Sequence, residues 1–171
     1  WRVPARSPGC DHATVKPVSG AGPGGAPRLG ESLGDIGEDA LVRAVLGRYR
    51  PPPPLLLVPA GDDAAVLDVT GRLVVSTDTL VEGADFRRDW SGGHEVGVKL
   101  AAQNFADVAA MGARPLALVV SLAAPADLPL GWATALADGL DDETARAGAF
   151  VAGGDVSQSA QLVLTGTALG V

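Results

Sequence analysis

The sequence runs to 171 residues with 47% hydrophobic content, enough to bury one core, and reads as one domain with a tail. Its formal charge of −7, from 20 acidic against 13 basic residues, argues against a nucleic-acid binder, for which a clustered basic face is expected. Cys10 is the one cysteine, so no intrachain disulfide can form, and no apolar run is long enough to span a bilayer; a reducing, cytoplasmic setting with no membrane and no nucleic-acid partner follows.

In chain order, residues 1–28 are rich in Pro, Gly and Ala, a composition that does not offset its own ordering entropy, and read as a disordered tail ahead of a folded domain at 29–171. Within the tail, residues 20–25 match the glycine spacing of a dinucleotide fingerprint, but no strand precedes them and no helix follows. Leu41, Val42, Val45, Leu46 and Tyr49 recur at helical spacing and predict an amphipathic helix over 38–50, closed by the prolines 51–54. Residues 55–58, 64–69 and 73–76 read as strands, the last two forming a hairpin around Thr70-Gly71. A long helix is predicted over 94–112, ending at Gly112, followed by an apolar strand at 116–123. Trp132, Leu136 and Leu140 mark another helix, and 149–152 and 162–169 supply two more strands. The sum is an α+β domain: a mostly antiparallel sheet with helices on one face.

Four acidic positions fall at predicted strand ends, helix faces and loops. Gly61-Asp62-Asp63-Ala64-Ala65 puts two carboxylates ahead of a strand, although Gly-Asp also builds ordinary turns. Ser76, Thr77 and Asp78 offer three adjacent side-chain oxygens at a predicted strand end, with Glu82 and Asp85 following. On the long helix, Leu100, Asn104, Asp107 and Met111 share one face, and the opposite stripe is apolar too; a helix of that kind is expected to be buried, and a buried Asp107 needs a partner or a cation. Gly153-Gly154-Asp155 follows an apolar strand, where glycines allow close backbone approach to a ligand or form a plain turn. Several carboxylates converge only around a cation, and magnesium, which takes oxygen ligands and carries phosphates, is the natural candidate. Trp90 and Trp132 read as packing residues, and Arg87-Arg88 as a solvated pair or a contact for a substrate phosphate.

Taken in order, Gly61-Asp-Asp-Ala-Ala, the run Ser76-Thr-Asp-Thr-Leu-Val-Glu-Gly, the run Asn104-Phe-Ala-Asp-Val-Ala-Ala-Met-Gly-Ala and Gly153-Gly-Asp resemble the N-terminal domain of the thiamine-monophosphate kinase family, within the aminoimidazole ribonucleotide synthetase-like superfamily. Ile36-Gly-Glu-Asp-Ala-Leu-Val looks like that family's opening helix. The resemblance implies a domain that pairs with a second copy into a β-barrel, with ATP sites near the interface. It implies direct in-line transfer of the ATP γ-phosphate to thiamine monophosphate, giving thiamine diphosphate. It also implies that Asp63, Ser76, Thr77, Asp78, Asp107 and Asp155 are magnesium ligands and that Gly154 and Asp155 touch ATP. Two positions depart from the family: Asp85 stands where a histidine near the substrate is common, and Gln158 where an arginine is common. The family's second domain is not part of this sequence and is expected downstream. Alternatives are another superfamily member, such as a selenophosphate synthetase or a hydrogenase maturation factor, and a domain that dimerises and binds metal or nucleotide without turnover.

Overall fold

A computed structural model describes residues 27–59 and 64–171. The predicted tail up to residue 26, with its glycine-rich run, and the Gly61-Asp62-Asp63 segment lie outside the described residues. The elements in order are α1 (Leu33–Ile36), α2 (Glu38–Leu46), β1 (Leu56–Val58), β2 (Val66–Leu67), β3 (Val74–Val81), α3 (Gly93–Ala110), β4 (Pro115–Ala124), α4 (Leu130–Arg146), β5 (Phe150–Gln158) and β6 (Val163–Gly170). The main sheet runs β3-β6-β4-β5, with β6 antiparallel to both its neighbours and β4 parallel to β5. This is the mostly antiparallel α+β sheet that the sequence predicts.

Alternation along the strands decides which face is covered. In β6 every second residue, Leu164, Gly166, Ala168 and Gly170, is buried, and in β4 Leu118, Val120, Leu122 and Ala124 turn the same way. These side chains form the principal core with Val96, Leu100, Phe105 and Val108 of α3 and Leu130, Leu136 and Leu140 of α4. Each fully buried leucine contributes about 1.5–3 kcal/mol. The other sheet face is covered at one end by the β1–β2 pair, where Leu56 is buried with Leu116, Ala117 and Ala152. The rest of that face carries Thr77, Thr79, Thr165 and Thr167, which are not covered by a helix.

Three predicted features differ. The expected hairpin between 64–69 and 73–76 does not form: β2 pairs with β1, and β3 pairs with β6 through eight residues. The longer ladder wins because it adds hydroxyl pairs across the strands, Thr77 with Thr167 at 3.1 Å and Thr79 with Thr165 at 3.0 Å, which a two-residue β2 cannot offer. Second, β3 continues to Val81, so Ser76, Thr77 and Asp78 lie within a strand and not at its end. Third, β5 runs through Gly153-Gly154-Asp155 as far as Gln158, with a register shift opposite Leu118 and Val119.

Helices α3 and α4 approach closely through glycine. A Cβ on Gly97 would lie 2.3 Å from the Leu136 carbonyl oxygen, and one on Gly139 would lie 2.1 Å from that of His94. The seam presses α3 onto β3 and β6 and so fixes the height of its side chains above the sheet.

Candidate functional site

Ser76 and Asp78 are two residues apart on β3 and therefore project from the same, helix-covered face. Above them α3 supplies Gln103 and Asp107, one turn apart on the helix. The Ser76 hydroxyl donates to Asp107 Oδ2 at 3.2 Å, and Gln103 Nε2 donates to Asp78 Oδ2. Asp78 Oδ1 accepts the Thr79 N–H at 2.8 Å. Among the described residues neither carboxylate has a lysine or arginine partner. The corner thus holds two carboxylates and a hydroxyl, all hard oxygen donors, with no thiol or imidazole; magnesium fits that donor set.

The remaining predicted ligands stand elsewhere. Thr77 points to the opposite face, where its hydroxyl donates to the Gly166 carbonyl at 2.8 Å. Asp155 is paired in register with Ser121, and Ser121 with Thr165, which places it on the same open face as Thr79. Its Oδ2 accepts from the Ser157 hydroxyl at 2.9 Å. Asp63 lies outside the described residues. Among the described residues no three His, Cys, Asp or Glu side chains gather closely enough to hold an ion. Gly154 has a packing reason for being glycine, since a Cβ there would fall 1.9 Å from the Val120 carbonyl oxygen.

Asp107 itself is exposed, where burial is expected from the apolar stripes around α3. The buried polar residue on that helix is Asn104, at 0% exposure: Nδ2 donates to the Leu100 carbonyl at 2.9 Å, and Oδ1 has no partner. The sheet and α4 cover two sides of α3, leaving Gln103, Ala106, Asp107 and Ala110 as its solvent edge.

After β3 the chain turns at Gly83, whose φ of 89° is the left-handed region that favours glycine. Asp85 closes this turn, its Oδ2 accepting the Val81 N–H at 2.8 Å, and Lys99 of α3 donates to the Asp85 carbonyl. Arg87 is held by Asp89 through two bonds of 2.9 and 2.6 Å and lies 4.5 Å from the ring centre of Trp90. Arg88 donates to Glu82 at 2.6 Å. Trp132 packs, stacking on Phe86 at 6.3 Å, whereas Trp90 is 77% exposed and does not pack as its sequence context suggests. Asp85, Arg87, Trp90, Glu95 and Lys99 line an open groove of about 360 Å³.

Known proteins are similar to this chain over most, not all, of its length. The family model for AIR synthase related protein, N-terminal domain, matches residues 61–171. The chain belongs to the AIR synthase related family. It is 49% identical over 140 residues to a thiamine-monophosphate kinase of Mycobacterium tuberculosis, covering 81% of this chain and 42% of that protein. The chain therefore spans about two fifths of the length of this curated relative. The solved thiamine-monophosphate kinase of Stenotrophomonas maltophilia is 33% identical with a TM-score of 0.62, over 77% of this chain and 40% of that one. AaThiL complexed with AMPPCP and TMP is 30% identical with a TM-score of 0.56, over 57% of this chain and 31% of that one.

Two features of this AIR synthase related domain escape a search for charged motifs. Gln103 is neutral, and only its four-residue spacing from Asp107 points to the shared corner. The second is a groove of about 240 Å³ between α2, α4 and β5, lined by Val45, Tyr49, Leu136 and Leu140. Burial, with a further push from the Asp141 charge, raises the Tyr49 hydroxyl well above its ordinary value.

Proposed function

We propose that this domain is the nucleotide- and magnesium-binding part of a thiamine-monophosphate kinase. The reaction is transfer of the γ-phosphoryl group of ATP to the phosphate of thiamine monophosphate, releasing ADP and thiamine diphosphate, by direct in-line displacement with no covalent enzyme intermediate. The observation that carries this reading is the 49% identity over 140 residues with a protein of that name, supported by the likeness to AaThiL complexed with AMPPCP and TMP. The corner between β3 and α3 agrees with it chemically, because its uncompensated carboxylates would not attract a nucleotide phosphate alone.

Ser76, Asp78 and Asp107 would hold magnesium at that corner, and Asp63, Thr77 and Asp155 are assigned to the same metal-binding role from the family resemblance. Bound magnesium supplies neutralisation of phosphate charge. Gly154 and Asp155, on the edge strand β5, are assigned to ATP, and Asp85 to the substrate side. The Ser76 hydroxyl orients the Asp107 carboxylate, and the glycine turn at Gly83 carries Asp85 to the end of the α3 surface that holds Lys99. Residues 29–171 act in this reading as the N-terminal domain, a second domain supplies further nucleotide and substrate groups, and two copies pair through the open sheet face. No helix among the described residues is long and apolar enough to cross a membrane.

Calorimetric titration of ATP with and without magnesium tests the reading. Binding that requires magnesium is expected; binding of equal strength without the metal, or none in its presence, overturns it.

A further inference from the structure

Gln103 and Asp107 on α3 face Asp78 and Ser76 on β3 as a quartet. The match is geometric: four residues of helix advance about 6 Å, and two residues of strand advance about 6.7 Å. With α3 running antiparallel to β3, Gln103 meets Asp78 where Asp107 meets Ser76. Three members of the quartet are anionic or hydroxylic oxygen donors. The fourth is a neutral amide.

That amide determines how Asp78 is held. One oxygen of the Asp78 carboxylate accepts the Thr79 N–H at 2.8 Å, and the other accepts Gln103 Nε2, so both oxygens are engaged and the group is fixed about its side-chain torsions. An apolar side chain at 103 would leave the second oxygen to water and the carboxylate able to turn. A lysine would neutralise the carboxylate and compete with any cation. Glutamine orients the carboxylate without cancelling its charge, the task of a residue that stands behind a metal ligand.

We propose that Gln103 is a positioning residue for divalent-cation binding at the β3–α3 corner, holding the Asp78 carboxylate beside the Ser76–Asp107 pair. The proposal rests on the metal-binding reading above. Its test is a magnesium titration of the 171-residue chain, without nucleotide, read by the rise in Tm, for the unsubstituted protein, Gln103→Leu and Gln103→Glu. Because Gln103 is exposed, Gln103→Leu is expected to leave the metal-free Tm within about 2 °C and to raise the magnesium midpoint about tenfold or more. Gln103→Glu sets a like charge beside Asp78, so its metal-free Tm is expected to fall and its magnesium-induced rise to exceed that of the unsubstituted chain. A Gln103→Leu midpoint within twofold of the unsubstituted chain, or a lowered metal-free Tm with no change in midpoint, overturns the role of Gln103 while leaving the metal reading intact. An unsubstituted chain whose Tm does not respond to magnesium overturns both.

Discussion

Asp107 stands at the solvent edge of α3 with one carboxylate oxygen on the Ser76 hydroxyl. Asp107→Asn keeps an oxygen acceptor for that hydroxyl and removes the charge, which separates the structural role from the metal-binding one. The unfolding free energy is expected to stay within about 0.5 kcal/mol, as for other exposed positions, while magnesium-dependent ATP binding weakens at least tenfold, or about 1.4 kcal/mol. Unfolding in urea and calorimetry on the same sample check both halves, and an unchanged magnesium dependence would return Asp107 to a purely structural part. Asp107 is singled out by its motif, but its exposure is not legible there. The sequence shows an apolar residue on nearly every side of α3, but Ala106, Ala109 and Ala110 are small enough to face solvent at little cost, so apolar spacing alone does not locate the buried side.

The element that sets the site's geometry is the seam between α3 and α4. Gly97 and Gly139 let the two backbones meet where any side chain would collide with a carbonyl, at 2.3 and 2.1 Å respectively, and a backbone cannot step aside as a flexible side chain can. Gly97→Ala, although it raises intrinsic helix propensity by about 1 kcal/mol, is therefore expected to destabilise the domain by about 1–3 kcal/mol through forced separation of the helices. The urea midpoint should fall with an unchanged slope; a midpoint at or above that of the parent protein would show that the seam relaxes. Nothing in the sequence marks Gly97 as a contact, because the collision depends on which helix lies opposite. Element bounds were legible where apolar runs are continuous, as in β4, and less so where polar residues stay in the ladder. In β3, Thr77 and Thr79 read as the start of a loop, yet their partners Thr167 and Thr165 keep them in the strand.

Across the whole molecule, the sheet separates the sequence-predicted ligands. Ser76, Asp78 and Asp107 lie on the helix-covered side, whereas Thr77 and Asp155 lie on the open side. A sequence cannot show this separation, because it depends on the odd and even positions of two strands that are neighbours only through β4 and β6. The open side is where a second copy is expected. Besides its threonine pairs it presents Val75 at 57% exposure and Val119 at 36%, with Leu169 between their strands, and the β1–β2 pair covers only one end. An apolar and hydroxyl-rich sheet face of this kind is stabilised by a matching sheet packed about 10 Å away. Sedimentation at micromolar concentration is expected to show a dimer. Val75→Glu, which sets a charge on that face and leaves the core beneath the helices untouched, is expected to give a monomer with nearly the parent's far-UV circular dichroism. If magnesium-dependent ATP binding requires Asp155 from the open face, the same substitution should also weaken that binding, although Val75 is separated from the β3–α3 corner by the thickness of the sheet. A parent protein that sediments as a monomer, or a Val75→Glu variant that remains a dimer, would remove the open face as the pairing surface.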